Sequence, residues 1–522
     1  MLFSEAGSRS ISNVIARVSP LLAAGIVFCF YCASALPGGF YYDDLILLST
    51  RSVSDFSPLD FVRYSLARPL TLLTYHTDLL VADESAWWFH LVNIGIHCLN
   101  VALVGVVASR WTQNRIAGFW CALLFGTHFL VTEPANYVWA RGVLLSSFFV
   151  LSGLLLLPRR QRLSWRSTTA LAVVLIAGLL ARPDAILLIP LGFLCRGLLQ
   201  KVWWERAYLW FALILVLATA VVMYLLITSA ERSMGFDLYD WGQWLNMSLA
   251  ALFKYCELLV RPDRTSIFHP SPFLGPDLLL GAGVVAALIL LLFLKRKDRL
   301  FLLGGLSFFT VIAFSITIPI TESVGERRMY LGIFGLCLAI SAWLFPSMKG
   351  ETAPSASPSI RPVRRHVRHI GAMIVLVGVL PAAWWRNNQW STTPRIWWAA
   401  ERVYPGSAKV QFMLATHFNS SDNTRSQIYY RNCIRRDASY PSVHNNLGNL
   451  YAREGRLDEA EREYHEELRH HPQSALVLNN LGVLFIRRGR LDTGMDYFRK
   501  ALSVEPGYGP ALENLRKAGI QR

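Results

Sequence analysis

The chain has 522 residues, 53% of them hydrophobic and only 16% charged, with a mean hydropathy of +0.35. Soluble domains carry about 25% charged residues, so most of this chain is suited to lipid. Its net charge of +16 sits largely on arginines in short loops between apolar runs, the positive-inside pattern. No basic stripe with interleaved aromatics marks a nucleic-acid-binding surface.

A bilayer span needs roughly 20 apolar residues. Candidate spans in chain order are 18–38, 88–108, 116–132, 142–157, 167–181, 184–199, 207–229, 277–294, 300–320, 329–346 and 369–386, about eleven in all. Arg9 and Arg17 precede the first run and no small-residue cleavage site follows it, so it reads as an uncleaved span. The loops at Arg110–Arg115, Arg159–Arg166, Arg196–Arg206, Lys295–Arg299 and Arg361–Arg368 are placed on the inner side. The N-terminus is then inside and the C-terminus outside. Segment 244–261 carries Lys254 and Glu257. Counting it as a span would put Lys295–Arg299 on the wrong side, so it reads as re-entrant or interfacial. Seven of the eight cysteines lie in or near apolar segments, and neither a zinc site nor a disulfide framework is suggested.

Past residue 388 the chain turns polar and repetitive. Asn446-Leu447-Gly448 recurs as Asn480-Leu481-Gly482, and Gly455-Arg456-Leu457-Asp458 as Gly489-Arg490-Leu491-Asp492. Tyr464 recurs as Phe498, and Pro472 as Pro506. This is the tetratricopeptide period of helix–turn–helix units. The expected fold is all-α: a polytopic membrane helix bundle over 1–388, a linker helix over 389–405, and a tetratricopeptide solenoid over 406–522. Within the solenoid, 441–474 and 475–508 are clear units and 406–440 a degenerate one. Stacked units present a concave groove that holds a peptide, or else the array only braces the membrane unit.

Ionisable residues gather at the outward ends of the spans. The first outward loop holds Tyr41-Tyr42-Asp43-Asp44, Arg63, Arg68-Pro69-Leu70-Thr71 and His76, and its amphipathic stretch fits a surface helix. The second holds His128, Glu133 and Arg141; the third, Arg182 and Asp184; the last, Glu326-Arg327-Arg328. Such residues are costly at a membrane boundary unless they face water, a partner or a substrate. Carboxylates suit acid–base work or a divalent metal, and arginines suit phosphate. Blander readings stand beside these. Asp43-Asp44 fits a helix N-cap, Glu133 a first-turn cap before Pro134, Arg182–Asp184 a local ion pair, and Glu326–Arg328 an interfacial anchor.

Several of these runs resemble the tetratricopeptide-repeat transmembrane O-mannosyltransferase-like family. They are Arg68-Pro69-Leu70-Thr71, Trp88-Phe89-His90-Leu91-Val92-Asn93 with His97, His128 through Arg141, and Glu326-Arg327-Arg328-Met329-Tyr330-Leu331. The resemblance implies a C-type glycosyltransferase that takes its sugar from a polyprenyl-phosphate-linked donor. The family's acidic motif falls on Asp43-Asp44, its second-loop glutamate on Glu133 and its following arginine on Arg141. Departures occur at His128-Phe129, at Thr132-Glu133-Pro134, and at Ala140-Arg141-Gly142-Val143, which lacks an Asp.

On that reading Asp43 or Asp44 is the general base toward a hydroxyl acceptor, protein or glycan, and displacement inverts the anomeric centre. Arg141, Arg182, Arg327 and Arg328 receive the donor phosphate, with Glu133 catalytic or joining Asp44 on a metal. Arg68, His76, His128, Asp184 and Glu326 support the site. No resident cofactor beyond that metal is called for, and no nucleic-acid partner. The short loops fit a bacterial inner membrane with the repeats in the periplasm; an endoplasmic reticulum membrane with lumenal repeats is the alternative. Two other function classes remain: a non-catalytic membrane scaffold whose repeats recruit partners, and a transporter, which would want mid-bilayer charges and broken spans in matching halves.

Overall fold

The computed structural model describes residues 20–32, 68–83, 85–157, 163–201, 241–267, 269, 277–317, 324–346 and 360–520. Asp43, Asp44, Arg63 and the apolar run 207–229 lie outside these residues. What is described is all-α apart from one isolated bridge between His269 and Val324. It divides into two compact units, Met1–Thr393 and Pro394–Arg522.

The first unit is an integral membrane helix bundle. In chain order the helices among its described residues are α1 (Pro20–Cys32), α2 (Pro69–Ala82), α3 (Ala86–Thr112), α4 (Arg115–Gly126), α5 (Thr132–Asn136), α6 (Arg141–Leu156), α7 (Trp165–Ala181), α8 (Leu188–Gln200), α9 (Trp241–Leu258), α10 (Asp277–Leu294), α11 (Arg299–Thr317), α12 (Tyr330–Leu344) and α13 (Ile360–Gln389). Among the described residues six stretches are long and apolar enough to cross a bilayer: Ala86–Thr112, Val138–Leu156, Pro183–Gln200, Arg299–Ile316, Glu326–Leu344 and Val367–Gln389. Pro20–Cys32, Trp165–Ala181 and Leu278–Leu294 are apolar but shorter. Exposed Leu279, Ile289, Leu290 and Phe293 on α10, and Ile370, Ile374 and Val377 on α13, form the kind of apolar surface that lipid covers.

Two apolar runs behave differently from a plain span. The run 116–132 is broken: α4 ends at Gly126, and the stretch Phe129–Asn136 departs from it by 62°. The segment 244–261 falls on α9, where Lys254 and Glu257 are both buried and pair at 2.7 Å one helical turn apart, so each cancels the other's charge. Cys29 and Cys32, spaced Cys-x-x-Cys on α1, are free thiols.

Apolar helices in lipid gain little from hydrophobic contact with each other and associate by close packing at small residues. Gly304 on α11 and Gly335 on α12 meet in this way: a Cβ added to either would lie 2.5 Å from the other's carbonyl oxygen.

In the second unit α14 (Thr393–Val403) is followed by antiparallel pairs. These are α15 (Ala408–Phe418) with α16 (Asn423–Arg436), α17 (Val443–Arg453) with α18 (Leu457–His470), and α19 (Ala475–Arg487) with α20 (Leu491–Val504). The helix α21 (Gly509–Ile520) follows the last pair. The turns of the two clear pairs place Gly455 at φ +78° and Gly489 at φ +76°, left-handed backbone that favours glycine. Leu447, Leu450, Tyr464, Leu481 and Leu484 make the core, with Tyr430 of the first pair buried beside them.

Candidate functional site

The break after α4 creates the first wall of the site. His128 is extended, and its Nδ1 accepts the N–H of Leu130 at 3.2 Å, which caps the turn. Thr132 donates to the Phe129 carbonyl at 2.7 Å. Pro134 lies in the first turn of α5, where its missing N–H leaves no helical bond unmade. Glu133 is thereby held inside the protein at 1% exposure. Its Oε1 pairs with the Arg327 guanidinium at 2.8 Å, and its Oε2 accepts the Arg327 backbone N–H at 2.9 Å. Glu133 therefore clamps a loop 194 positions away.

That loop is the second wall. Glu326–Met329 form one 3-10 turn leading into α12, and Tyr255 of α9 exchanges hydrogen bonds with the N–H and carbonyl of Gly325 just before it. Glu326 is fully buried. Its Oε2 meets Arg386 Nη2 at 3.0 Å, while its Oε1 accepts the Ser266 N–H at 2.6 Å and lies 3.2 Å from His269 Nε2. Arg328 donates to the Ser315 carbonyl at 3.2 Å.

Arg182 completes the group. It pairs with Asp184 at 2.6 Å in the short loop between α7 and α8, so the local ion pair is formed. Arg68, Arg327 and Arg328 all lie within electrostatic range of it. Thr71, three residues after Arg68, ties α2 to this loop through a 2.8 Å bond to the Ala181 carbonyl. Four arginines from three loops thus converge. Two have a carboxylate partner; Arg68 and Arg328 have none among the described residues. Among the described residues arginines outnumber their carboxylate partners at these span ends, and arginine clusters are suited to phosphate.

Arg141 is differently engaged. It is fully buried and ion-paired with Asp78 of α2, donates through Nε to Asn93 at 2.7 Å and through Nη2 to the Phe89 carbonyl at 3.2 Å, and lies 4.6 Å from the Tyr75 ring centre. In this structure it braces α2 against α3 and α6. Asn93 also donates to the Tyr137 carbonyl at 3.0 Å, and His97 bonds the Tyr330 hydroxyl at 2.7 Å. The motif residues Asn93, His97 and Tyr330 are thus polar ties between spans. His76 is half-buried on α2. Asp43 and Asp44 lie outside the described residues, so their distance to Glu133 is not defined. Among the described residues no three His, Cys, Asp or Glu side chains gather as a metal set.

Sequence reading missed Asp78, His269 and Arg386. Each is a single polar residue without a neighbouring motif, and only its partner reveals it. In the repeat unit, Asn449, Arg453, Tyr464, Asn480 and Arg487 line a cavity of about 300 Å³.

The tetratricopeptide repeat family profile matches residues 413–468 and 445–510. The protein O-mannosyl-transferase Tmtc2 of Drosophila melanogaster is 29% identical over 33% of this chain and 22% of its own length. Human protein O-mannosyl-transferase TMTC1 is 29% identical over 26% of this chain and 17% of its own. The Caenorhabditis elegans protein O-mannosyl-transferase F38B6.6 is 22% identical over 78% of this chain and 61% of its own length. The first two matches thus span about a fifth of those relatives. The chain is an integral membrane relative of the protein O-mannosyl-transferases that carries tetratricopeptide repeats after its membrane unit.

Proposed function

We propose that the protein is a membrane glycosyltransferase that moves a sugar from a polyprenyl-phosphate donor to a hydroxyl acceptor on the outward face. The names of its relatives point to mannose and to a protein hydroxyl. The convergence of Arg68, Arg182, Arg327 and Arg328, two of them paired with a carboxylate among the described residues, carries this reading. A donor whose tail lies in the bilayer presents its phosphate at a span end, where these arginines would receive it.

In the reaction the acceptor hydroxyl gives its proton to the carboxylate of Asp43 or Asp44 and its oxygen bonds the anomeric carbon. The bond from that carbon to the phosphate oxygen breaks, and the phosphate leaves with the electron pair. One displacement inverts the centre. The leaving group is already a weak base, so it needs positive charge more than a proton donor. Arg327, fixed by Glu133, and Arg328 supply that charge. The amide- and arginine-lined cavity of the repeats supports a role for them in holding the acceptor.

Mass spectrometry of proteins and glycans from cells with the wild-type chain and with Asp43→Asn/Asp44→Asn tests this. The variant is expected in the membrane at normal level with the transferred hexose missing from its acceptor. An unchanged glycan profile would refute the assignment of the base.

A further inference from the structure

The arginines that would face the phosphate do not stand alone: two of them follow a buried carboxylate that could compete for them. Glu326 immediately precedes Arg327 and Arg328 and is wholly enclosed. What satisfies it comes from elsewhere in the chain. Arg386, also fully buried, reaches it from the last turn of α13 at 3.0 Å. His269 touches it at 3.2 Å and the Ser266 N–H at 2.6 Å. Arg386 is itself fixed, donating to Gln389 at 2.7 Å with its guanidinium 5.5 Å from the Trp390 ring centre. Asn387, the next residue, accepts from Asn136 of α5 at 2.7 Å, so the end of α13 is pinned to the element that carries Glu133.

Charge counting shows what this does. Glu133 and Glu326 bring two negative charges to the loop, and Arg327 and Arg386 bring two positive ones. With Arg386 present, Glu326 is neutralised from behind and Arg327 stays with Glu133. Without it, among the described residues the buried carboxylate keeps only His269 and the Ser266 N–H beside it, neither a permanent cation, and a charge buried without its partner seeks a cation. Arg327 and Arg328 follow it directly in the chain and belong to the same loop.

We propose that Arg386 is a positioning residue for anion binding: by holding Glu326 it keeps the charge of Arg327 and Arg328 available to a lipid-linked phosphate that Arg386 never touches. The inference rests on the donor assignment above and adds a residue to it.

The test measures binding of a polyprenyl phosphate without sugar to the purified full-length chain in nanodiscs, beside the KM and kcat of transfer. Arg386→Gln is expected to weaken the phosphate Kd and raise the donor KM by roughly tenfold or more, the scale of one charge-assisted hydrogen bond, with a smaller change in kcat. Adding Glu326→Gln should recover most of that loss, because the competing carboxylate is gone. A packing role for Arg386 would not be rescued this way. Arg386→Lys, which keeps the charge, should lie between wild type and Arg386→Gln, and serves if the glutamine variant does not fold. A wild-type Kd in folded Arg386→Gln, or a double variant no better than the single, overturns the proposal. If the wild-type chain binds the phosphate with this mutational pattern yet transfers no sugar, the glycosyltransferase reading falls and the positioning role stands. If it binds no polyprenyl phosphate, both fall.

Discussion

Replacing Arg141 by methionine separates a structural arginine from a donor-binding one. The side chain has no exposure and Asp78 only 7%, so the substitution leaves a buried carboxylate without its cation. Asn93 and the Phe89 carbonyl also lose donors that now lie at 2.7 Å and 3.2 Å. Breaking a buried pair by removing one partner costs about 3–5 kcal/mol. Trp88, which donates to Asp78 at 3.2 Å, offsets little of that charge. Thermal unfolding of the detergent-solubilised chain should therefore show a marked drop in midpoint for Arg141→Met. The paired variant Asp78→Leu/Arg141→Met removes both charges, and well-packed apolar replacements of buried pairs are often neutral. It should recover at least about 2 kcal/mol of the loss and retain the wild-type donor KM. A single variant as stable as wild type would refute the structural account. A double variant that regains stability but loses donor affinity would assign Arg141 to the phosphate after all.

Two further outcomes follow from single residues. Arg328 has no carboxylate partner among the described residues, so Arg328→Ala should leave the unfolding midpoint nearly unchanged while raising donor KM roughly 10- to 100-fold, the worth of one charge-assisted contact. A large stability loss with unchanged KM would make it a strut. In the repeats, His444 Nδ1 lies 2.6 Å from Glu463. Burial pushes this imidazole down, but the hydrogen bond and charge of Glu463, with Glu467 and Glu466 nearby, outweigh burial and raise its pKa above 6.5. A pKa raised on folding contributes stability that is fully present below the unfolded value and is lost as pH rises through the folded one. Residues 394–522 should melt lower at about pH 8 than at about pH 6, and His444→Gln should flatten that difference. An identical pH slope in the variant would exclude the pair as its source.

Much of the architecture was legible locally. The apolar runs between 86 and 200 and between 277 and 389 correspond to described helices, and Lys254 and Glu257 flagged α9 as unlike its neighbours. The loops that the arginine pattern reads as outward supplied Arg182, Arg327 and Arg328, which the fold brings together. Less legible was the break at Thr127–His128. Hydropathy averages over a turn that one histidine cap and Pro134 fix geometrically.

The amino-acid sequence by itself determined that this is a helical membrane chain followed by tetratricopeptide repeats. Span length is set by bilayer thickness, and repeats by a 34-residue recurrence of small and aromatic residues. Both are properties of neighbours in the chain. Only the tertiary structure decided which charges belong to one another. Glu133 takes Arg327 across 194 positions, Glu326 takes Arg386 across 60, and Arg141 takes Asp78 from another helix. A buried charge must be cancelled by whatever side chain packing brings within a few ångströms, and distance along the chain carries no information about that. So the sequence marked the arginines as candidates for phosphate, and packing alone left Arg68 and Arg328 without a carboxylate partner among the described residues while it enclosed Arg141.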